Sequence, residues 1–164
     1  MVSWLQYMMR LGYRKEIKFD DKIWSVLKEK LEWYRKNPSQ LDSLTNFSKL
    51  ALAMREFGPQ EDLGVDQKTW ENMEKDLDYY GPPHRTYYVR LAVNMLLLGY
   101  KGKIGLDEEI WEQIERELKY YRKINLGRFA DFAKDLFVLT HLLQAPKDQK
   151  VEGSIPPLPQ VRKF

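Results

Sequence analysis

Apolar and polar positions along this chain follow a helical period, and the same pattern occurs three times. Aligned on tryptophan, the copies are LGYRKEIKFDDKIWSVLKEKLEWY (11–34), FGPQEDLGVDQKTWENMEKDLDYY (57–80) and LGYKGKIGLDEEIWEQIERELKYY (98–121). An apolar residue stands three after the Trp (Leu27, Met73, Ile114), a Leu seven after it (Leu31, Leu77, Leu118), and a Tyr ten after it (Tyr34, Tyr80, Tyr121). Offsets of 0, 3, 7 and 10 share one face of an α-helix. Four before the Trp stands an Asp (Asp20, Asp66, Asp107), placed to accept hydrogen bonds from the free amides of the first turn. Twelve before it stands a Gly (Gly12, Gly58, Gly99), where the preceding helix can end in the left-handed conformation. Each copy therefore predicts a helix end, a loop and a capped helix with Trp24, Trp70 or Trp111 on its packed face.

The intervening segments repeat as well. Counting back from each Gly, Met54 and Met95 stand at four, Ala51 and Ala92 at seven, and Phe47 and Tyr88 at eleven. Met8 and Leu5 fit the same register before Gly12, so residues 1–11 read as the second helix of an incomplete repeat. After the third copy, FADFAKDLFVLTHLL supplies one more apolar helix without the closing Gly, as a terminal repeat that faces solvent often does. The tryptophans are spaced 46 and then 41 residues apart. Two helices per unit at that period predict an all-α fold, an α-solenoid of helical hairpins with about seven helices. The expected organisation is one helical-repeat domain over 1–144, with a half repeat at 1–11, repeats at 12–57, 58–98 and 99–144, and an extended tail at 145–164. The tail holds Pro156-Pro157-Leu158-Pro159, which favours polyproline II and suits an arm lying along a neighbouring protein subunit.

Composition narrows the function classes. With 43% hydrophobic and 31% charged residues the chain is expected to fold, and its apolar runs, such as 95–98, fall far short of the ~20 residues that cross a bilayer. No cysteine is present, which removes disulfides, thiolate nucleophiles and Cys-based zinc sites together. The first fifteen residues contain basic residues and no acid, as mitochondrial presequences do, but their fit to the repeat favours a structural helix.

The helix endings LALAMREFG and LAVNMLLLG, each followed by a loop and a capped Trp helix, resemble octotricopeptide and heptatricopeptide repeats and the helical part of FAST-kinase-like proteins. Leu50 to Gly58 and Leu91 to Tyr100 carry that resemblance, and Leu11-Gly12-Tyr13 matches only its close. It covers roughly residues 1–144. It implies a mitochondrial or other organellar protein, not a secreted one, that acts on RNA in processing, stability or translation. Larger members of the group often end in a nuclease-like module; here only a 20-residue tail follows the last helix.

Candidate chemistry is sparse. His84 follows Pro82-Pro83 in a loop, and His141 lies in the last apolar helix; solvated and packing roles are the expected ones. Asp107, Glu108, Glu109, Glu112 and Glu115 read as a capped, solvated helix face, since no Glu-x-x-His pairing accompanies them. Gly102 and Gly105 lack the spacing of a phosphate-cradling loop. No enzyme, metal, cofactor or small-molecule substrate is expected.

RNA contact has more candidates. Trp33, Tyr79 and Tyr120, each beside the Tyr of its repeat, lie about 100° off the packed face and are placed to stack on bases. Lys49 and Arg90 stand nine before a repeat Gly, and Lys134 takes the same place two after Phe132. That ladder either follows a phosphate backbone or is solvated and ion-paired within the repeats. Arg35-Lys36 and Arg122-Lys123 flank helix ends, where they suit phosphates and also the helix dipole. Residues 12–57 hold ten basic residues against seven acids, 58–98 hold four against seven, and 99–144 hold eight of each. The acidic middle repeat interrupts any continuous track. The competing expectation is a structural accessory subunit of a mitochondrial protein complex that binds no RNA.

Overall fold

A computed structural model describes residues 20–57 and 63–144; the expected half repeat at 1–11, Gly12, Gly58 and the tail at 145–164 lie outside them. The described residues are all-α, six helices and no strand: α1 (Asp21–Lys36), α2 (Ser43–Phe57), α3 (Gln67–Tyr79), α4 (Arg85–Leu97), α5 (Glu108–Ile124) and α6 (Leu126–Gln144). The chain divides into two compact units, residues 1–78 and 79–164. The division falls inside the segment read as the second repeat, at the end of its first helix. In the first unit α1 packs on α2; in the second, α4 packs on both α5 and α6, and α5 on α6.

All three Trp helices start where the aspartates place them. Asp20, Asp66 and Asp107 accept from the amides of Ile23 (2.7 Å), Thr69 (2.7 Å) and Ile110 (2.8 Å). Each carboxylate satisfies an amide that the first helical turn leaves without an internal partner. At the other end of α4, Gly99 has φ +97, its amide donates to the Leu96 carbonyl and the Tyr100 amide to that of Met95. This pair of bonds caps the last carbonyls, and only a residue without a Cβ adopts that φ without strain.

The repeated apolar positions are buried, each within its own unit: Phe47, Ala51 and Met54 in the first, and Tyr88, Ala92, Met95 and Phe132 in the second. Burying one such Phe or Met side chain contributes about 1.5–3 kcal/mol. The second helices form the cores: α4 is buried on nearly every side, with Val89, Leu91, Ala92, Val93 and Met95 all enclosed. The Trp helices are amphipathic and bury one stripe each, through Leu27 and Leu31, Met73 and Leu77, and Ile114.

Two details depart from the pattern. Trp24, Trp70 and Trp111 are half-buried and stand at the border of the packed stripe. Each is the fourth residue of its helix, so the ring sits over the first turn, where less of the neighbouring helix covers it. The Trp111 Nε1–H donates to Glu115 Oε1 on its own helix at 3.0 Å. In the third copy Leu118 is also only half-buried, and Glu117 beside it is enclosed.

Candidate functional site

Each Trp helix ends in an aromatic pair with one ring inward and one outward. Trp33–Tyr34, Tyr79–Tyr80 and Tyr120–Tyr121 meet edge to face, with centroids 5.5, 5.9 and 5.5 Å apart. The outer members Trp33, Tyr79 and Tyr120 are 41%, 73% and 58% exposed. Tyr80 is buried, stacked on Tyr87, and Tyr121 meets Phe132 edge to face. The outer rings are held by their inner partners and present π-faces or edges to solvent. Trp33 also carries the Lys30 ammonium 4.6 Å from its ring centroid.

The basic candidates fall into three groups. Lys36, Arg122 and Lys123 are exposed in the last turns of α1 and α5. Arg35 bonds Glu32 Oε2 at 2.6 Å and Asp66 Oδ2 at 3.2 Å, and Arg90 Nε bonds Asp135 Oδ2 at 3.3 Å. A phosphate at either arginine has to compete with those carboxylates. Lys49 and Lys134 are half-buried on the second helices. The feature that recurs in full is therefore an exposed aromatic followed by an Arg-Lys pair: Trp33 with Arg35-Lys36, and Tyr120 with Arg122-Lys123. The α3 helix has Tyr79 without the basic pair.

Among the described residues no group of three or more His, Asp or Glu could hold a metal ion. His84 and His141 are exposed; the His141 ring stacks on Phe137 with a 26° interplanar angle. No described helix is long and apolar enough to cross a membrane.

One polar centre was not visible to the repeat alignment. Glu117 reaches the start of α4, where its carboxylate accepts from the Arg85 amide (3.1 and 2.9 Å) and the Thr86 hydroxyl (3.4 Å). The Arg85 side chain turns back to donate to Gln113 Oε1 (2.9 Å) and the Tyr80 backbone carbonyl (3.1 Å), with its guanidinium 5.0 Å from the Tyr88 ring. Arg85 and Glu117 are only 9% and 8% exposed. Glu117 thus caps α4 from another helix, in place of His84, whose side chain makes no capping bond. A carboxylate is well matched to the positive end of a helix, and burial strengthens each bond. The Tyr88 hydroxyl donates to the Gly105 carbonyl and pins the loop leading to α5.

Glu117 lies six after its tryptophan; the same offset is Asp76 on α3 and Lys30 on α1. Burial, and then the charge of Asp42 immediately before α2, push the Asp76 carboxyl up to about 6. The acid six after the Trp on α3 thus feels the like charge of the residue that precedes α2. Burial also raises Asp135, outweighing the Arg90 charge beside it. Asp66 is lowered by the hydroxyl and amide of Thr69, the bonds that make it a cap.

No protein-family model, curated protein or solved structure matches the chain.

Proposed function

We propose that the chain is a non-catalytic helical-repeat binding module of an organellar ribonucleoprotein, contacting single-stranded RNA and neighbouring proteins. The stacking of its hairpins as an α-solenoid is part of this reading. Support for the stacking comes from the recurrence of the Asp caps and of the buried Phe/Tyr, Ala and Met positions. The observation that carries RNA contact is the exposed Tyr120 ring beside the exposed Arg122-Lys123 pair at the end of α5. A ring stacks on any base, and the adjacent cations meet the phosphates on either side. The organellar setting rests on the resemblance to octotricopeptide-type repeats.

Binding of a labelled twelve-nucleotide single-stranded RNA at 50 and 200 mM salt tests this. The affinity is expected to fall steeply with salt, and Arg122→Glu with Lys123→Glu is expected to weaken it at least tenfold at 50 mM. Tyr120→Ala is expected to weaken it by a similar factor with little change in the salt slope, because stacking releases no counterions. No detectable binding at 50 mM salt rejects the RNA reading.

A second reading, an accessory subunit of a mitochondrial protein complex that binds no RNA, is favoured by a different observation. Arg35 and Arg90, two of the basic candidates, already pair with carboxylates of their own unit. The same assay separates the two readings.

A further inference from the structure

The first Trp helix carries a surface that the third uses internally. On α5, Gln113 and Glu117 lie on the stripe defined by offsets −1, +2, +6 and +9 from the tryptophan, and both bond Arg85 at the head of α4. On α1 that stripe is Ile23, Val26, Lys30 and Trp33. From Ile23 to Trp33 it covers eleven residues, about 15 Å of helix. All four residues are exposed, Ile23 at 40% and Val26 at 51%. Two shallow grooves run along its sides and share Trp33: one is lined by Val26, Leu27, Lys30, Tyr34 and Leu50, the other by Ser25, Lys28, Glu32 and Lys36. Glu29 borders both.

Charge decides what fits there. A helix N-terminus, the group that Glu117 receives, is disfavoured by an ammonium at the same position. Lys30 itself is held over the rings of Trp33 and Tyr34, 4.6 and 5.0 Å from their centroids, by cation–π attraction. Lys22, Lys28 and Lys36 surround the stripe, and of the acids on α1, Glu32 is engaged by Arg35. The aliphatic Ile23 and Val26 give a nucleic acid little to bind, whereas they are suited to the apolar stripe of a helix.

We propose that this face of α1 is a docking site for an acidic amphipathic helix of a partner protein, its apolar side on Ile23, Val26 and Trp33 and its carboxylates on Lys30 and the neighbouring lysines. The partner would lay i, i+3, i+4 and i+7 residues into the two grooves. The site does not depend on RNA binding, whose test uses α5 residues.

The test uses the full chain and a fluorescein-labelled 18-residue peptide with leucines at i, i+3, i+4 and i+7 and glutamates on the flanks. A second peptide replaces each glutamate with lysine, and unlabelled oligouridine is the competitor. The acidic peptide is expected to bind more tightly at 50 than at 200 mM salt, and the basic one at least tenfold more weakly. Val26→Glu and Lys30→Glu should each weaken the acidic peptide at least tenfold, with unchanged far-UV circular dichroism. Lys30→Glu should also tighten the basic peptide severalfold, a reversal that misfolding cannot produce. Equal binding of both peptides, or no effect of Lys30→Glu, overturns the proposal. So does displacement of the peptide by oligouridine, which makes the face an RNA site. Binding that appears only after deletion of residues 1–19 also overturns it, since the occupant is then the chain itself.

Discussion

The helices α1 and α5 are two editions of one segment, with the same Asp cap, the same Trp and the same aromatic pair, yet they have opposite polar economies. On α5 the residue six after Trp is a buried carboxylate that receives the head of α4. On α1 it is an exposed ammonium resting on two rings. On α3 it is a half-buried carboxyl pushed up to about 6. The shared features are those any capped amphipathic helix needs, and the variable position records what each helix packs against. Three substitutions at that one offset put the comparison to the test.

The largest effect is expected at Glu117. Glu117→Ala leaves the Arg85 amide and the Thr86 hydroxyl without their acceptor in a site of low exposure. Hydrogen bonds to a buried charge contribute about 1.5–3 kcal/mol, and stranded donors add to the loss. A destabilisation of roughly 3 kcal/mol is expected, a fall in Tm of about 6–12 °C. Glu117→Gln keeps one acceptor oxygen and is expected to lose about half as much. Urea unfolding of both variants measures it. If Glu117→Ala unfolds at the wild-type midpoint, the carboxylate is no cap and the contrast with α1 is empty.

Glu117 also marks where the sequence stops being informative. The caps at Asp20, Asp66 and Asp107, the stop at Gly99, the buried Met and Ala positions and the outward rings of Trp33, Tyr79 and Tyr120 all follow from local rules about helix ends and periodicity. A repeat alignment ranks positions by what they share, so offset +6, with Lys, Asp and Glu, looks like solvent-facing variation. A signal was present: the stripe at −1, +2, +6 and +9 ends on an aromatic in every copy, and it borders the apolar face. The Arg35–Asp66 and Arg90–Asp135 pairs join residues 31 and 45 apart, which no helical periodicity relates. The tryptophans are less buried than their place on the packed face predicts, because periodicity gives the side of a helix and not how far along it the neighbour extends.

Asp76 should show the intermediate effect, and only in one pH window. Its carboxyl titrates near 6 in the folded protein and near 3.9 in the unfolded chain. Between those values the folded state binds more protons. The contribution of this group is therefore fully present below about 4 and is lost as pH rises through 6. Asp76→Asn cannot titrate and is expected to be more stable than the wild type at pH 7.5 by on the order of 1 kcal/mol, after allowing for the partial exposure of the site. At pH 4 the two should coincide. Thermal melts at pH 4, 5, 6 and 7.5 give the difference curve. A flat curve, or one that rises toward acid, would mean that burial and the Asp42 charge do not raise the Asp76 carboxyl.

Lys30 should matter least to the fold, which is what makes it informative. Its ammonium interacts with the rings of Trp33 and Tyr34 at an exposed site, where such attractions contribute about 0.5–1 kcal/mol. Replacing it with Ala also slightly favours the helix, so the net change is expected within about 0.5 kcal/mol of zero. Raising salt from 50 to 500 mM should leave that small difference unchanged to within the error of a urea titration, because among the described residues no carboxylate pairs with Lys30. A loss as large as that of Glu117→Ala would mean that Lys30 is an internal contact of the folded chain. The α1 stripe would then be closed, and α1 and α5 would differ in the sign of their partner rather than in having one.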